Sequence, residues 1–336
     1  MRIISIVLLL ISLLTTYVQY LVNESSEVQY ILYNDMDSGT YNEESTTRFL
    51  GYNTDFPNLS LSALPIKGVV ARYYILGGRF NEALELLNES INDNPYIMFN
   101  EMIKSDLYWE LQIKDSIVYF AEKAFTGIPN NQKHFINLAR AYVYTNEYDR
   151  LDSIYKIVES RAVPDITKYY LSSLLTDESK ITEYGRQIAR KTLNKKENIT
   201  KEIRLAAHYV LLGQSNVNES IKLDSEAEAK YLNSDFKSAG ETYEKAGEYN
   251  PLEYSYFENA GISYFQSGYY DKAIKNLIKV IDSLNPGSGK SEFVIAQSYG
   301  ELGNKTIACE YAIKSSKFDY RESFKLIGIY CGDSNQ

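Results

Sequence analysis

Gly268-Tyr269-Tyr270-Asp271-Lys272-Ala273-Ile274 is the stretch from which the rest of the chain can be read. Upstream of it, Phe257, Ala260, Gly261 and Tyr264 fall at i, i+3, i+4 and i+7, one face of a helix over Leu252–Ser267. Downstream, Ala273, Leu277, Val280 and Ile281 do the same for a helix over Asp271–Leu284. Two amphipathic helices therefore meet at a glycine turn. Gly261 and Ala273 are small where the two helices must approach, so the spacing predicts an antiparallel helical pair.

The same pattern recurs along the chain. Tyr74, Gly78, Phe80, Ala83, Leu87 and Pro95 make one unit, and adding 34 gives Tyr108, Gln112, Lys114, Ile117, Ala121 and Pro129. A further 34 gives Tyr142, Asn146, Tyr148, Leu151 and Tyr155, so the aromatic column Tyr74, Tyr108, Tyr142 keeps register without a slip. The pattern returns at Asp235–Ala239 with Tyr243, Ala246 and Pro251, then at Gly261–Pro286, then at Ala296, Tyr299, Gly303 and Ala308. Phe318 to Tyr330 reads as a closing helix. Prolines cluster at unit ends, where they cost a helix least.

Gly78-Arg79-Phe80-Asn81-Glu82-Ala83-Leu84 and Gly268–Ile274 resemble the turn and second helix of tetratricopeptide (TPR) repeats, and the 34-residue period agrees with that family. The departures are local: Lys114 and Lys305 stand where an aromatic is usual, and Ile117 and Leu151 where alanine is usual. The resemblance implies an all-α, TPR-like α-solenoid, a right-handed superhelix of helix pairs whose first helices line a concave groove. It predicts an N-terminal subarray of three repeats over 64–165 and a C-terminal one of three repeats plus closing helix over 220–331. Between them, 166–219 reads as an irregular helical connector with helices over Ile166–Leu175, Lys180–Leu193 and Thr200–Leu212 and a hinge or kink near Asn194–Ile199; a continuous superhelix with one irregular unit is the other reading.

The N-terminus is a separate object. Ile3 to Val22 carries no charged side chain, and at 1.5 Å per residue it is about 30 Å long, the thickness of a bilayer core. An uncleaved membrane anchor, a cleaved signal peptide and a buried first helix are the three readings of residues 1–22, with the anchor favoured because no A-x-A-like cleavage site follows. Arg2 before the segment and Glu24, Glu27, Asp35 and Asp37 after it place the N-terminus in the cytoplasm and the bulk of the chain outside, periplasmic or extracellular, or secreted if cleaved. Residues 23–63 read as a polar, acidic linker holding the repeats off the membrane, with Phe56–Leu61 an extended piece packed on the following domain.

Composition narrows the function. The 336 residues carry 35 Lys+Arg against 44 Asp+Glu, a net charge of −9 that disfavours nucleic acid as a partner. A mean hydropathy of −0.33 excludes a chain made mostly of membrane spans. Two cysteines are too few for a disulfide scaffold. A Cys309–Cys331 disulfide would suit an oxidising compartment, and plain helix packing is the other reading. Pro286-Gly287-Ser288-Gly289-Lys290-Ser291 lacks the earlier glycine and the strand of a phosphate-binding loop, so it reads as a turn between repeats. His134, at a helix start, reads as a surface or capping residue. Carboxylates such as Glu226 and Glu228 read as solvated, and no zinc or cofactor motif appears. The N-x-[ST] sequons at Asn23, Asn58, Asn88, Asn198, Asn218 and Asn304 would carry glycans only in a eukaryote.

By the resemblance, the groove face of the first helices selects Arg72, Ile75, Met102, Asp106, Trp109, Lys133, Ile136, Arg140, Val143 and Tyr144 in the N-terminal subarray. In the C-terminal one it selects Asp224, Glu228, Tyr231, Glu258, Ile262, Phe265 and Phe293. The first set joins cations to the only Trp, residue types enriched at binding hot spots, and the second is acidic and aromatic. At the positions where chaperone-binding TPR domains clamp a C-terminal carboxylate stand Gly68, Arg72, Ile103, Lys133 and Asn137, and only Lys133 matches. The expected function is a non-catalytic, tethered or exported scaffold that binds a protein or peptide in its groove. Two alternatives are an accessory subunit of an envelope polysaccharide or secretion apparatus and an enzyme whose site hides in 166–219.

Overall fold

The structure, a computed structural model, describes residues 2–38, 54–60, 62–194, 199–284 and 287–332. The linker from Gly39 to Asn53, the hinge residues 195–198, Asn198 of the sequons and Pro286 lie outside the described residues. Among the described residues are seventeen α-helices, in two compact units, Met1–Gly185 and Arg186–Gln336. The first unit holds α1 (Arg2–Asp37) and the pairs α2/α3 (Ile66–Leu76, Phe80–Glu89), α4/α5 (Phe99–Glu110, Lys114–Gly127) and α6/α7 (Gln132–Tyr144, Tyr148–Val158), then α8 (Pro164–Leu174). Helix α9 (Glu183–Leu193) begins at the division. The second unit continues with α10 (Lys201–Leu212) and the pairs α11/α12 (Gln214–Leu232, Phe236–Tyr249), α13/α14 (Tyr254–Gln266, Tyr270–Lys279) and α15/α16 (Lys290–Glu301, Lys305–Ser316). It closes with α17 (Ser323–Tyr330).

Every pair turns through the same device. A residue in the left-handed region follows each first helix: Gly78, Gln112 and Asn146 in one unit, Ser234, Gly268 and Gly303 in the other, with φ between 56° and 78°. The next backbone N–H then reaches back to a carbonyl five residues earlier: Arg79 to Tyr74 (2.9 Å), Ile113 to Tyr108 (3.1 Å), Glu147 to Tyr142 (2.8 Å), Asp235 to Lys230 (3.0 Å), Tyr269 to Tyr264 (2.9 Å) and Asn304 to Tyr299 (2.8 Å). This is a Schellman closure, which satisfies carbonyls left open at a helix end. The 34-residue period in the sequence is thus a period in backbone geometry.

Side chains reinforce it between pairs. The Tyr142 hydroxyl donates to Glu122 (2.7 Å) and the Tyr264 hydroxyl to Glu244 (2.6 Å), each from a first helix to the second helix before it. Glu244 also accepts from Asn276 at 2.7 Å, so one carboxylate joins three helices. Gly261 is needed where α13 meets α14, because a Cβ there would stand 2.5 Å from Leu277 Cγ. Ala273 on the facing helix is fully buried.

Three readings of the sequence need correction. The linker does not begin at Asn23: α1 runs unbroken to Asp37, Ser25, Val28 and Leu32 are buried, and the last two share a core with Ile66, Val69 and Tyr73 of α2. The spacing of Ser25, Val28 and Leu32 is helical, but polar neighbours hide it. The boundary at 219/220 falls inside α11, whose Val217, Ser220, Leu223 and Ala227 form one continuous buried stripe. His134 is not at the surface; it is 2% exposed, and Asn131 caps the helix by accepting from the N–H groups of Lys133 and His134. Of the extended piece Phe56–Leu61, Leu61 lies outside the described residues, and Asn58 contacts the domain that follows: its carbonyl accepts from Ile66 N–H (2.9 Å), and its side chain donates to Asp93 (3.1 Å).

Cys309 on α16 and Cys331 after α17 are joined in a disulfide that ties down the closing helix. The Cys309→Ser/Cys331→Ser variant is expected to lose up to about 3 kcal/mol in denaturant unfolding, for a closed loop of 22 residues. Gly268→Ala meets no atom within 4 Å, so its cost is the positive φ alone. It should destabilise by about 1 kcal/mol, whereas the exposed Ser234→Gly should stabilise by about 0.5 kcal/mol. Equal effects at the two positions would show that the turn geometry does not carry this energy.

Candidate functional site

In the first unit, three successive first helices bring the selected side chains together. Arg140 of α6 lies over the Trp109 ring of α4, guanidinium carbon to ring centre 4.2 Å, and Tyr144 stands against Trp109 at 4.7 Å between ring centres. Lys114 approaches the Tyr144 ring at 4.7 Å. The Tyr144 hydroxyl donates to Gln112 Oε1 (2.8 Å), and Gln112 Nε2 donates to the Trp109 carbonyl (2.7 Å). The residue that makes the left-handed turn also locks the aromatic cluster. Trp109 Nε1 is buried and finds no acceptor among the described residues.

Asp106 lies one turn before Trp109 on α4, within electrostatic reach of Arg72 on α2 and Arg140 on α6. Its carboxylate makes no hydrogen bond or close ion pair among the described residues. Burial pushes its carboxyl up to about 6, against the pull of Arg72 and Arg140, and Glu110 adds to the rise. Arg72 and Arg140 are exposed. A carboxylate held at a cost between two cations that do not bond it leaves both signs of charge free to meet a ligand.

Arg72 also borders a cavity of about 150 Å³ with Met102 and Lys133. Its walls include Tyr33 of α1 and the buried His134, whose imidazole burial pushes down from its ordinary value. Seven of the sequence-selected residues (Arg72, Met102, Asp106, Trp109, Lys133, Arg140, Tyr144) thus fall into two adjoining subsites that share Arg72. Tyr33 was missed because its segment reads as linker.

The second unit treats its selected residues differently. Asp224 and Glu228 share a face of α11, and burial, then Glu228 and Glu253, push the Asp224 carboxyl up. Tyr243 is pushed up to about 12 by burial and by the Asp224 and Glu228 carboxylates. Tyr231 packs on Phe236 (5.1 Å) and Phe265 on Tyr270 (5.7 Å), so both rings lie half-buried on their own pairs. Glu258 is buried and engaged: it accepts from Ser291 Oγ at 2.8 Å and faces Lys290 Nζ at 3.6 Å. Glu226 and Glu228 are exposed, as expected, whereas Glu258 and also Glu101, Asp152 and Glu292 are buried, covered by helices packed across them. His208 is also buried, paired through Nδ1 with Asn250 (3.1 Å), and burial pushes it down to about 4.

Asp106 gives a pH test. Its folded pKa lies above its ordinary value of 3.8, so the folded state holds the proton more tightly. Its contribution to stability therefore falls as pH rises from about 4 to about 6. Asp106→Asn should be more stable than the wild type at pH 7.5, on the order of 1 kcal/mol after allowance for its partial exposure, with the gap closing toward pH 4 in urea unfolding.

No family model matches the chain, and no curated protein matches it. Solved structures similar to it include MamA MSR-1 (15% identity, 75% of this chain and 94% of MamA, TM-score 0.24). Others are a tetratricopeptide repeat protein from Parabacteroides merdae (13%, 92% and 99%, TM-score 0.31) and the TPR2AB domain of yeast Sti1 in a pHSP90 complex (15%, 70% and 98%, TM-score 0.31). At these identities and TM-scores the similarities carry no argument. The helix pairs do: within each unit a common turn recurs every 34 or 35 residues, and the described residues form an all-α, TPR-like protein.

Proposed function

We propose that this chain is a non-catalytic, membrane-tethered scaffold that binds a protein or peptide partner on the first-helix face of its N-terminal repeats. The observation that carries the reading is the Arg72–Asp106–Arg140 row beside the Trp109–Tyr144 pair. Charges of both signs suit the donors and acceptors of a polypeptide, and Trp, Tyr and Arg are the side chains that most often dominate binding energy. The tether is supported by α1, whose Ile3–Val22 half has the length and composition of a membrane span and leaves its apolar side chains exposed. The Cys309–Cys331 disulfide supports a location outside the cytoplasm, where such bonds persist.

Crosslinking in native membranes tests the site. A photo-crosslinker placed at exposed Lys133 should capture a defined partner from the wild type. Trp109→Ala/Arg140→Ala should lose it at least about tenfold, the factor for removing one hot spot of about 1.4 kcal/mol, while circular dichroism shows equal helicity. An unchanged capture in the folded double variant would remove this face from consideration.

A further inference from the structure

Helix α1 has two surfaces in one uninterrupted rod. Among the described residues, none of the apolar run Ile3–Val22 is buried. From Ser25 onward the same helix enters the core: Ser25, Val28 and Leu32 are 5%, 1% and 0% exposed. The Tyr73 hydroxyl of α2 donates to Asp35 at 2.9 Å, beyond the last of them. Only Asn23 and Glu24 separate the apolar run from the first buried residue, which lies about 4.5 Å further along the axis.

The junction is helical and braced. Asn23 donates to Glu27 (3.2 Å), Gln29 to Ser25 (3.1 Å) and the Ser26 hydroxyl to the Val22 carbonyl (2.9 Å), and Tyr20 bonds Glu24. The helix contains no Gly or Pro, the usual causes of a kink. Tyr17 and Tyr20 are exposed at the end of the apolar run, the depth at which aromatic side chains sit in the headgroup layer.

We propose that α1 is a rigid strut that seats the first repeat directly on the bilayer surface, in place of a flexible spacer. The proposal rests on the membrane reading above. In this arrangement Val28 and Leu32 are the joint, and the cavity walled by Tyr33 stands at most about 16 Å along the helix axis from Val22. The first-helix face is then presented at a fixed height and tilt to whatever shares the membrane.

Rotational mobility tests it. The native cysteines are paired, so a long-lived fluorophore attaches uniquely to Glu85→Cys, an exposed position on α3. The full chain is placed in phosphatidylcholine–phosphatidylglycerol vesicles, and flotation first establishes incorporation. A strut makes the anisotropy decay to a high plateau, because the first unit turns only with the vesicle. Two variants should abolish the plateau: Val28→Asp/Leu32→Asp, which undocks α1, and a Gly-Ser-Gly-Ser insertion between Val22 and Asn23, which leaves the core intact. A wild type without a plateau, or a plateau kept in either incorporated variant, overturns the strut. A chain that fails to float overturns the membrane reading, and the strut with it, in a separate measurement.

Discussion

The backbone bond that closes each first helix is the constraint on which the repeats depend. A hairpin of two helices has one orientational freedom that side-chain packing alone defines loosely. Here a left-handed residue and the N–H that follows it set the direction of exit six times over, through Tyr74, Tyr108, Tyr142, Lys230, Tyr264 and Tyr299. Because the exit is the same each time, the tyrosines of successive first helices come within reach of second-helix carboxylates. That is how Tyr142 meets Glu122 and Tyr264 meets Glu244, twenty residues apart in both cases. Local geometry and inter-pair chemistry thus agree, which is what a consistently specified sequence looks like.

The same regularity explains the character of the candidate site. Equivalent positions on successive first helices fall on one face, so a row of side chains can gather there from residues far apart in sequence. Arg72, Asp106 and Arg140 are such a row, one from each of the first three pairs. The partial burial of Asp106 works against stability, since no hydrogen bond offsets the desolvation of its carboxylate. A fold under pressure for stability alone would have little use for a carboxylate there. In the second unit the chemistry is turned inward instead: Glu258 holds Ser291 and Lys290, and its groove character gives way to joining α13 and α15.

Helix α1 adds a second organising element to the first unit. An apolar run followed by a polar one suggests two objects, an anchor and a spacer. Their union in one helix makes the docked half part of the first repeat's core, where Val28 and Leu32 lie with Ile66, Val69 and Tyr73. Isolated helices are marginal in water, and this one has a packed partner for its second half. Tyr33 then belongs both to α1 and to the wall of the cavity beside Arg72, so the N-terminal segment and the candidate site are physically contiguous.

Features that repeat or are local can be read directly from the residues. The 34-residue period, the helix pairs around Gly78 and Gly268, the apolar run from Ile3 to Val22 and the aromatic column are all legible, because each depends on neighbours within a few turns. The row Arg72, Asp106, Arg140 was legible too, since the 34-residue period relates the three positions and the resemblance to tetratricopeptide repeats assigns them, with Trp109, to the groove face. Other features needed the tertiary structure. Whether Glu258 and His134 are covered depends on helices packed from other pairs, and nothing within a turn of either residue encodes it. The pairing of Cys309 with Cys331 depends on where α17 folds back. The docking of Val28 and Leu32 depends on α2, more than thirty residues away, whose apolar surface turns a polar-looking segment into core. Periodicity is written along the chain, whereas burial is a property of what comes to lie across it.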